Sequence, residues 1–212
     1  MRKLDRDCAE APECLAGYDH RTDTWKSLTG EHKQQIRACL ETLQGRRCAY
    51  CEGDLDLLGQ HIEHFRRKSR FQFPELTFAW SNLYWSCDCD DSCGHYKDKR
   101  AGAYDVADLL NPCLDDPDKF FRFRSDGRIS LRDGLGEIDL RRAQETLRVL
   151  NLDPQWGRLR KMRAAVLVGY VSLVDDGAGL SNGELREYFE DVLLAAEAEP
   201  FSTAIRHVLT EP

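Results

Sequence analysis

The chain has 212 residues, of which 42% are hydrophobic, and a formal net charge of −7. This length allows one substantial core, and the acidic balance excludes a protein that coats nucleic acid by general electrostatics, which requires excess cationic surface. No apolar stretch approaches the roughly 20 residues that cross a bilayer, and none follows the basic N-terminus. We therefore expect a soluble, cytoplasmic protein without a membrane partner, whose nucleic-acid contacts, if any, are local.

The first predicted element is a helix that begins near Thr29 and ends before Gly45. Residues 1–25 show no periodicity and are expected to wrap over a surface. From Thr29 to Leu43, apolar residues recur at the i, i+3, i+4 and i+7 positions of one helical face, namely Ile36, Cys39, Leu40 and Leu43. Gly45 is a typical helix stop. The helix delivers the chain to the first pair of clustered cysteines.

Five of the nine cysteines flank one segment: Cys48, Cys51, Cys87, Cys89 and Cys93. An odd count without a signal peptide favours thiols and metal over disulfides. The two-residue gap in Cys48-Ala-Tyr-Cys51 suits a knuckle that points both sulfurs at one ion. We predict a structural zinc site of Cys48, Cys51, Cys87 and Cys93, with Cys89 as the alternative to Cys87. Packed or redox-active thiols are the other interpretation, and the remaining cysteines (Cys8, Cys14, Cys39 and Cys113) are expected to be buried or incidental.

Between the two cysteine groups lies Gln60-His61-Ile62-Glu63-His64-Phe65, which is interpreted as a strand. Strict alternation separates Glu63 from His64, so both serve one site only near the strand end. Phosphodiester hydrolysis needs a base for water and stabilisation of phosphate charge. A neutral His64 can accept the proton, while Glu63 and His95 can hold Mg²⁺ or Mn²⁺. His61 is interpreted as a structural or substrate contact rather than a ligand.

A basic loop follows, residues 66–70, with Phe71 and Phe73 behind it. Such a segment can contact phosphates and stack a base, although a solvated loop is the plain alternative. The predicted nucleic-acid contacts are Arg66, Arg67, Lys68 and Arg70, together with Lys97 on the predicted helix after Cys93.

The rest of the chain predicts a structural β-hairpin and several helices. Residues 121–131 alternate around Asp126-Gly127, which is typical of a two-residue hairpin turn. Two apolar stripes follow, one with Leu140, Ala143, Leu147 and Leu150, the other with Leu159, Met162, Val166, Tyr170, Val171 and Val174. A capping box of Ser181 and Glu184 begins a last helix with Leu185, Tyr188, Phe189 and Val192, which Pro200 ends.

Four motifs in this order, C-x-x-C, I-E-H-F, W-S-N-L and C-G-H-Y-K, resemble the HNH endonucleases, and more narrowly the PtuB-type nucleases of retron and Septu anti-phage systems. The resemblance covers roughly residues 1–160. It implies His64 as general base, Glu63 as metal ligand, Asn82 as the residue that orients the loop or base, and His95 as the last letter of the motif. In many HNH proteins that last residue directly follows the cysteine, where this chain has Gly94. Arg67 also departs, since proline is frequent there.

The expected fold is α+β and mostly helical, with a ββα-metal (HNH) core and a four-cysteine zinc knuckle. Three parts are predicted: an N-terminal arm and helix (1–45), the nuclease core (46–105), and a hairpin with a C-terminal helical region (106–212). The resemblance implies a metal-dependent DNA nuclease of phage defence with a PtuA-type ATPase partner, and in retron systems a reverse transcriptase with its msDNA. Cleavage of RNA, including tRNA, and a non-catalytic zinc module that binds nucleic acid or a partner remain the alternatives.

Overall fold

The computed structural model describes residues 1–174 and 177–211. In these residues the chain forms a mixed, mostly helical structure, which confirms the predicted class at that level. The helices are α1 (Gly30–Gln44), α2 (Leu55–Leu58), α3 (Cys93–Lys99), α4 (Glu137–Val149), α5 (Arg158–Val174), α6 (Asn182–Tyr188), α7 (Glu190–Ala196) and α8 (Ser202–Thr210). The strands are β1 (Gln60–His64), β2 (Leu83–Cys87), β3 (Phe121–Phe123) and β4 (Ile129–Leu131).

Helix α1 confirms the first predicted element. The Thr29 side chain accepts a hydrogen bond from the His32 N–H and so caps the helix, and Gly45 ends it with φ of 63°. The predicted face is buried through Ile36, Leu40 and Leu43. The preceding residues 1–25 form short 3-10 turns that lie against the core.

Strands β1 and β2 pair antiparallel, with Gln60 opposite Cys87 and His64 opposite Leu83. Helix α1 supports β2, because the side-chain amide of Gln44 donates to the Trp85 carbonyl at 2.9 Å and accepts from the Trp85 N–H at 2.8 Å. Helix α3 follows β2 after a short loop. This order in space brings the beginning of α3 beside β1 and so positions the site.

The hairpin between β3 and β4 differs from its prediction in the turn. The Arg124 N–H donates to the Arg128 carbonyl, so the loop contains three residues, 125–127, rather than two. Gly127 has φ of 80°, the left-handed conformation that closes such a three-residue loop. The Asp126-Gly127 pair therefore marked the hairpin correctly but not its loop length.

The buried face of α5 also differs from the predicted stripe. Its fully buried residues are Leu159, Arg163 and Leu167, while Val171 is exposed. Arg163 is buried because its guanidinium donates to two backbone carbonyls, those of Gly127 and Leu152, and pairs with Asp153. A hydrophobic pattern cannot anticipate an arginine satisfied in this way.

The last predicted helix begins at its capping box as expected, but it breaks at Phe189 into α6 and α7 and ends at Ala196, before Pro200. Helix α8, absent from the prediction, packs on α5 and is buried along most of its length. Residues from all three predicted parts join one apolar core, and the boundaries at 45/46 and 105/106 stay a prediction. Across residues 1–174 and 177–211, no helix combines the length and apolarity that crossing a bilayer demands.

Candidate functional site

Four buried sulfurs form one cluster where the knuckle before β1, the end of β2 and the start of α3 meet. The ligand atoms of Cys48, Cys51, Cys87 and Cys93 all lie within 4.8 Å of one another. The Gly53 N–H points at Cys51 Sγ at 3.4 Å, and the tight turn places Glu52 at φ of 64°. This is the turn that the two-residue gap predicted.

The chemistry of this four-cysteine cluster fits a metal. A thiolate is the form that binds metal, and four sulfurs in a closed, buried set suit zinc. Cys89 is half-buried with its sulfur 3.7 Å from the Leu58 carbonyl, outside this set of four.

His64 lies at the end of β1 with only 3% of its surface exposed. Its Nε2 is 3.0 Å from the Thr77 carbonyl, which can only accept, so Nε2 carries the hydrogen and Nδ1 keeps its lone pair. Lys68 Nζ donates to Nδ1 at 3.1 Å, and the edge of the ring meets Trp25 at 4.4 Å between centroids. Burial, reinforced by the Lys68 charge, lowers the pKa of His64 to about 3. The ring is therefore neutral and of fixed orientation.

Glu63 forms a buried ion pair with Lys97. Its Oε1 is 2.8 Å from Lys97 Nζ, and the side chains are 3% and 0% exposed. Lys97 also donates to the His64 carbonyl at 3.0 Å and to Asp98 at 2.9 Å. Burial alone would raise the pKa of Glu63, but the Lys97 charge and the bond from His61 hold it well below its ordinary value. The Glu63 carboxylate is thus ionised inside the protein.

On the same face of β1 as Glu63 lies a second group of ligand-type side chains, the His-Asp cluster of His61, Asp88 and His95. Their ligand atoms lie within 4.8 Å of one another. His95 Nε2 is 2.5 Å from Asp88 Oδ1, and the rings of His61 and His95 stack at 4.1 Å between centroids. His61 Nε2 is 3.3 Å from Glu63 Oε2. His61 therefore lies between the predicted ligands Glu63 and His95, because it contacts the Glu63 carboxylate and its ring stacks on that of His95.

Asn82 is buried and joins the end of β1 to the basic loop. Its Oδ1 accepts from the Arg66 N–H at 2.7 Å, while its Nδ2 donates to the carbonyls of Arg66 and Leu76 at 2.9 and 3.1 Å. Both donated bonds of the amide and the one bond that its oxygen accepts are to backbone atoms. The geometry allows Asn82 to fix the loop, and a direct contact with substrate is not needed for that role.

The predicted phosphate contacts differ in how exposed they are, and Lys68, like Arg67, is partly buried. Arg66 and Arg70 are exposed beside Phe73 and Phe71, while Arg67 is partly buried, bonded to Asp98. Lys97 is a correction: it is fully buried in the Glu63 ion pair, so its ammonium does not face a surface that phosphate could reach.

A cavity of about 710 Å³ opens next to the basic loop, and its lining includes His64, Arg67, Lys68 and Asp98. Three side chains near the site escaped the sequence interpretation: Trp25, Asp88 and the ligand-like placement of His61. Strand alternation does put His61 on the face of Glu63, and that pattern was the available sign. Asp88 is brought to the site by the pairing of β1 with β2, and Trp25 by its packing against His64. Neither contact can be read from a local sequence pattern.

The site thus combines a buried neutral histidine at the end of β1, a buried carboxylate with imidazoles on the other face of that strand, and a four-cysteine cluster. No protein-family model matches the chain. It is similar to "Septu protein PtuB" of Bacillus mycoides (strain KBAB4), at 28% identity over 127 residues, covering 48% of this chain and 42% of that protein. A second "Septu protein PtuB", from Bacillus thuringiensis, is 31% identical over 88 residues, covering 40% of this chain and 31% of that protein.

The chain is also similar to a protein of Vibrio cholerae serotype O1 biovar El Tor named "Retron Vc95 putative HNH endonuclease", at 27% identity over 144 residues, covering 66% of this chain and 67% of that protein. These similarities confirm the resemblance to PtuB-type and retron HNH proteins. The chain spans less than half the length of the two PtuB relatives. The three names give no support for a reverse transcriptase and msDNA as partners.

Proposed function

We propose that this chain is an HNH-type nuclease that hydrolyses phosphodiester bonds, with DNA as its substrate, and that β1, β2 and α3 form its ββα-metal core. The observation that carries the proposal is the placement of His64, a buried, neutral imidazole of fixed tautomer among the residues that line a cavity beside the basic loop. The similarity to proteins named as PtuB and as an HNH endonuclease supports it.

His64 is the proposed general base. Its Nε2–H is held by the Thr77 carbonyl, so Nδ1 is the atom that accepts a proton from the attacking water. Lys68 now donates to that same lone pair. A substrate phosphate arriving in the cavity offers Lys68 a stronger, charged acceptor, which would draw its ammonium away and free Nδ1 for water.

The neighbouring residues orient and prepare the base. Asn82 fixes the backbone at Arg66 and so sets the course of the basic loop relative to His64. Lys97 bonds the His64 carbonyl and fixes the strand end from the other side. Arg66 and Arg70, exposed beside aromatic rings, are the proposed contacts to the sugar–phosphate backbone and unpaired bases, with Arg67 next to them.

Two metals fit the residues present. Zinc in the four-cysteine cluster would have a structural role, because that set is closed and buried. A catalytic divalent ion, Mg²⁺ or Mn²⁺ by the sequence interpretation with Glu63 and His95 as ligands, would lie beside β1. Such an ion supplies charge stabilisation to the phosphate and the leaving oxygen. The donor set there, carboxylates and imidazoles with partial exposure, is compatible with an ion that retains open positions.

The proposed context is phage defence, with an ATPase of the PtuA type as partner. This part of the proposal rests on the similarity to the two Septu proteins alone, and the chain spans only part of them. Three apolar side chains on the C-terminal helices are exposed: Val168, Tyr188 and Leu194. Substitutions at these positions test whether the helices contact a partner.

The test is a cleavage panel with supercoiled plasmid and total tRNA side by side, each with Mg²⁺ or Mn²⁺, with and without the ATPase. We expect plasmid nicking that His64→Ala lowers by roughly 10² to 10⁴-fold, the usual contribution of a general base. His20→Ala is the matched control, because His20 is exposed, lies outside the site and pairs with its chain neighbour Asp19. Full activity in His64→Ala would overturn the assignment.

Two other results would redirect the function. Cleavage of tRNA without plasmid nicking would make the chain an RNA-cleaving HNH enzyme with the same base. Cellular protection that survives His64→Ala and Glu63→Ala but needs Cys48 and Cys51 would favour the non-catalytic zinc module.

A further inference from the structure

The start of α3 lacks a side chain at the position where many HNH proteins carry their last motif residue. Gly94 occupies it, and a Cβ there would lie 2.5 Å from Glu63 Oε2 and 3.0 Å from His61 Nε2. The first distance is shorter than real Cβ contacts, and the second is tighter than most of them. The space that a ligand side chain at 94 would need is therefore filled by the carboxylate of Glu63 and the imidazole of His61.

Glu63 is poorly placed to bind an ion directly. It is 3% exposed, and its two oxygens face Lys97 at 2.8 Å and His61 at 3.3 Å. An ionised carboxylate that accepts from one imidazole nitrogen leaves the other nitrogen with a lone pair, the arrangement typical of histidines that ligate metals. Glu63 thus acts on His61 rather than on the ion.

The nitrogen of His61 that Glu63 leaves free is Nδ1. It is buried and has no hydrogen-bond partner within the described part of the chain. Its nearest charged neighbour is Asp88 Oδ1 at 3.7 Å, and Asp88 in turn contacts His95 Nε2 at 2.5 Å. A buried acceptor without a partner that faces a carboxylate is unfavourable, and a cation bound between the two atoms removes this cost.

We propose that the divalent-cation site of this chain is the His-Asp cluster, His61 Nδ1, Asp88 and His95, with Glu63 as the acceptor that orients His61, and that it prefers a first-row transition ion to Mg²⁺. This deepens the proposed function by naming the ion class, and it rests on that function for its catalytic consequence. In the proposed ligand set, His61 replaces Glu63 as a direct ligand, and Asp88 is added.

The donor chemistry sets the preference. Two imidazoles and one carboxylate form a set that binds transition ions, whereas Mg²⁺ prefers oxygen ligands and keeps most of its waters. The side chains of His61, Asp88 and His95 are 21%, 55% and 25% exposed, so the cluster is partly open to solvent. The fully buried four-cysteine cluster would keep zinc and would not compete for Mn²⁺, which is poorly suited to thiolates.

The experiment is titration of the zinc-loaded protein with Mn²⁺ alone, without nucleic acid, followed by the loss of the free-ion signal in electron paramagnetic resonance. We expect one Mn²⁺ per chain, displaced only by a large excess of Mg²⁺. Asp88→Asn and His61→Ala should each weaken Mn²⁺ binding at least tenfold. His20→Ala and His64→Ala should not, because neither belongs to the cluster. Zinc content and circular dichroism establish that each variant is folded.

Asp88→Asn keeps the proposal testable if His61→Ala does not fold, because Asp88 is largely exposed. Mn²⁺ affinity that equals Mg²⁺ affinity, or that survives in Asp88→Asn, overturns the site. That result would leave the nuclease assignment intact if His64→Ala still abolished cleavage. Conversely, Mn²⁺ binding as expected in a chain that cuts neither DNA nor RNA would defeat the function and retain the site.

Discussion

The two groups of ligand-type side chains differ in ligand type, burial and openness. The four-cysteine cluster is closed: its cysteines are 0–3% exposed and all its donors are sulfur. The His-Asp cluster is partly open, has nitrogen and oxygen donors, and lies next to the buried Glu63–Lys97 pair. Structural metal sites are usually closed and catalytic sites keep free positions. On the proposed function, the first cluster therefore serves folding and the second serves chemistry.

Both groups meet the same short strand pair. Cys87 ends β2, Asp88 follows it directly, and α3 contributes Cys93 to one cluster and His95 to the other. A metal that fixes the first cluster would thereby position two residues of the second. The geometry of the His-Asp cluster would thus depend on the four-cysteine cluster. The following variants separate the roles of the two clusters.

The largest effect is expected from Cys51→Ser. Structural zinc contributes an apparent binding free energy of about 10–16 kcal/mol in zinc-finger peptides, as much as the whole stability of an ordinary domain. The variant should lose zinc and its cooperative unfolding transition. Metal analysis and thermal denaturation followed by circular dichroism measure both.

Cys89→Ser is the matched control for that variant, because Cys89 belongs to the same segment but lies outside the set of four. It should keep one zinc per chain and a similar melting temperature. Zinc loss in Cys89→Ser with retention in Cys87→Ser would show that the fourth ligand is assigned wrongly.

The next largest effect concerns the buried ion pair beside the His-Asp cluster. Lys97→Met leaves the Glu63 carboxylate buried and unpaired, so we expect a loss of about 3–5 kcal/mol in the free energy of unfolding. Urea denaturation measures it. The double variant Glu63→Gln with Lys97→Met should recover a large part of the loss. Equal destabilisation in the single and double variants would contradict a direct pairing.

A smaller effect is expected where α3 approaches β1. Gly94→Ala forces a methyl group against Glu63 and His61 and should cost about 1–3 kcal/mol while weakening Mn²⁺ binding. Gly169→Ala in α5 is the control, since its added methyl meets nothing within 4 Å and alanine favours a helix. If both variants behave alike, the close approach at Gly94 has no functional weight.

The smallest effect is expected from Lys68→Ala. Removing one phosphate contact should weaken DNA binding and reduce the salt dependence of binding by about one ion. Fluorescence anisotropy at several salt concentrations measures the slope. Lys161→Ala, an exposed lysine on α5, should leave the slope unchanged. An unchanged slope in Lys68→Ala would remove Lys68 from the substrate path.

The sequence was most informative where local rules suffice. Helix α1 and its two ends follow from Thr29, Gly45 and the spacing of its apolar residues, and the cysteine knuckle follows from a two-residue gap. The alternation along β1 correctly separated His64 from Glu63. These features depend on neighbours in the chain, which a pattern can show.

The sequence was least informative where contacts are long-range. Lys97 was interpreted as a phosphate contact from its place on the predicted helix after Cys93, yet its ammonium is satisfied by a carboxylate and a backbone carbonyl from β1. Asp88 joins His61 only through the pairing of β1 with β2, and Arg163 is buried by carbonyls from two separate loops. No periodicity records such partners.

The most direct test of the account is the single-turnover rate of plasmid nicking by His64→Gln at saturating Mn²⁺. Glutamine places its amide nitrogen close to the position of Nε2, so it can keep the hydrogen bond to the Thr77 carbonyl, but it cannot act as the base. We predict nicking slower by roughly 10² to 10⁴-fold, with zinc content and Mn²⁺ affinity unchanged. A rate equal to that of the unaltered chain would show that His64 is not the base and would contradict the account.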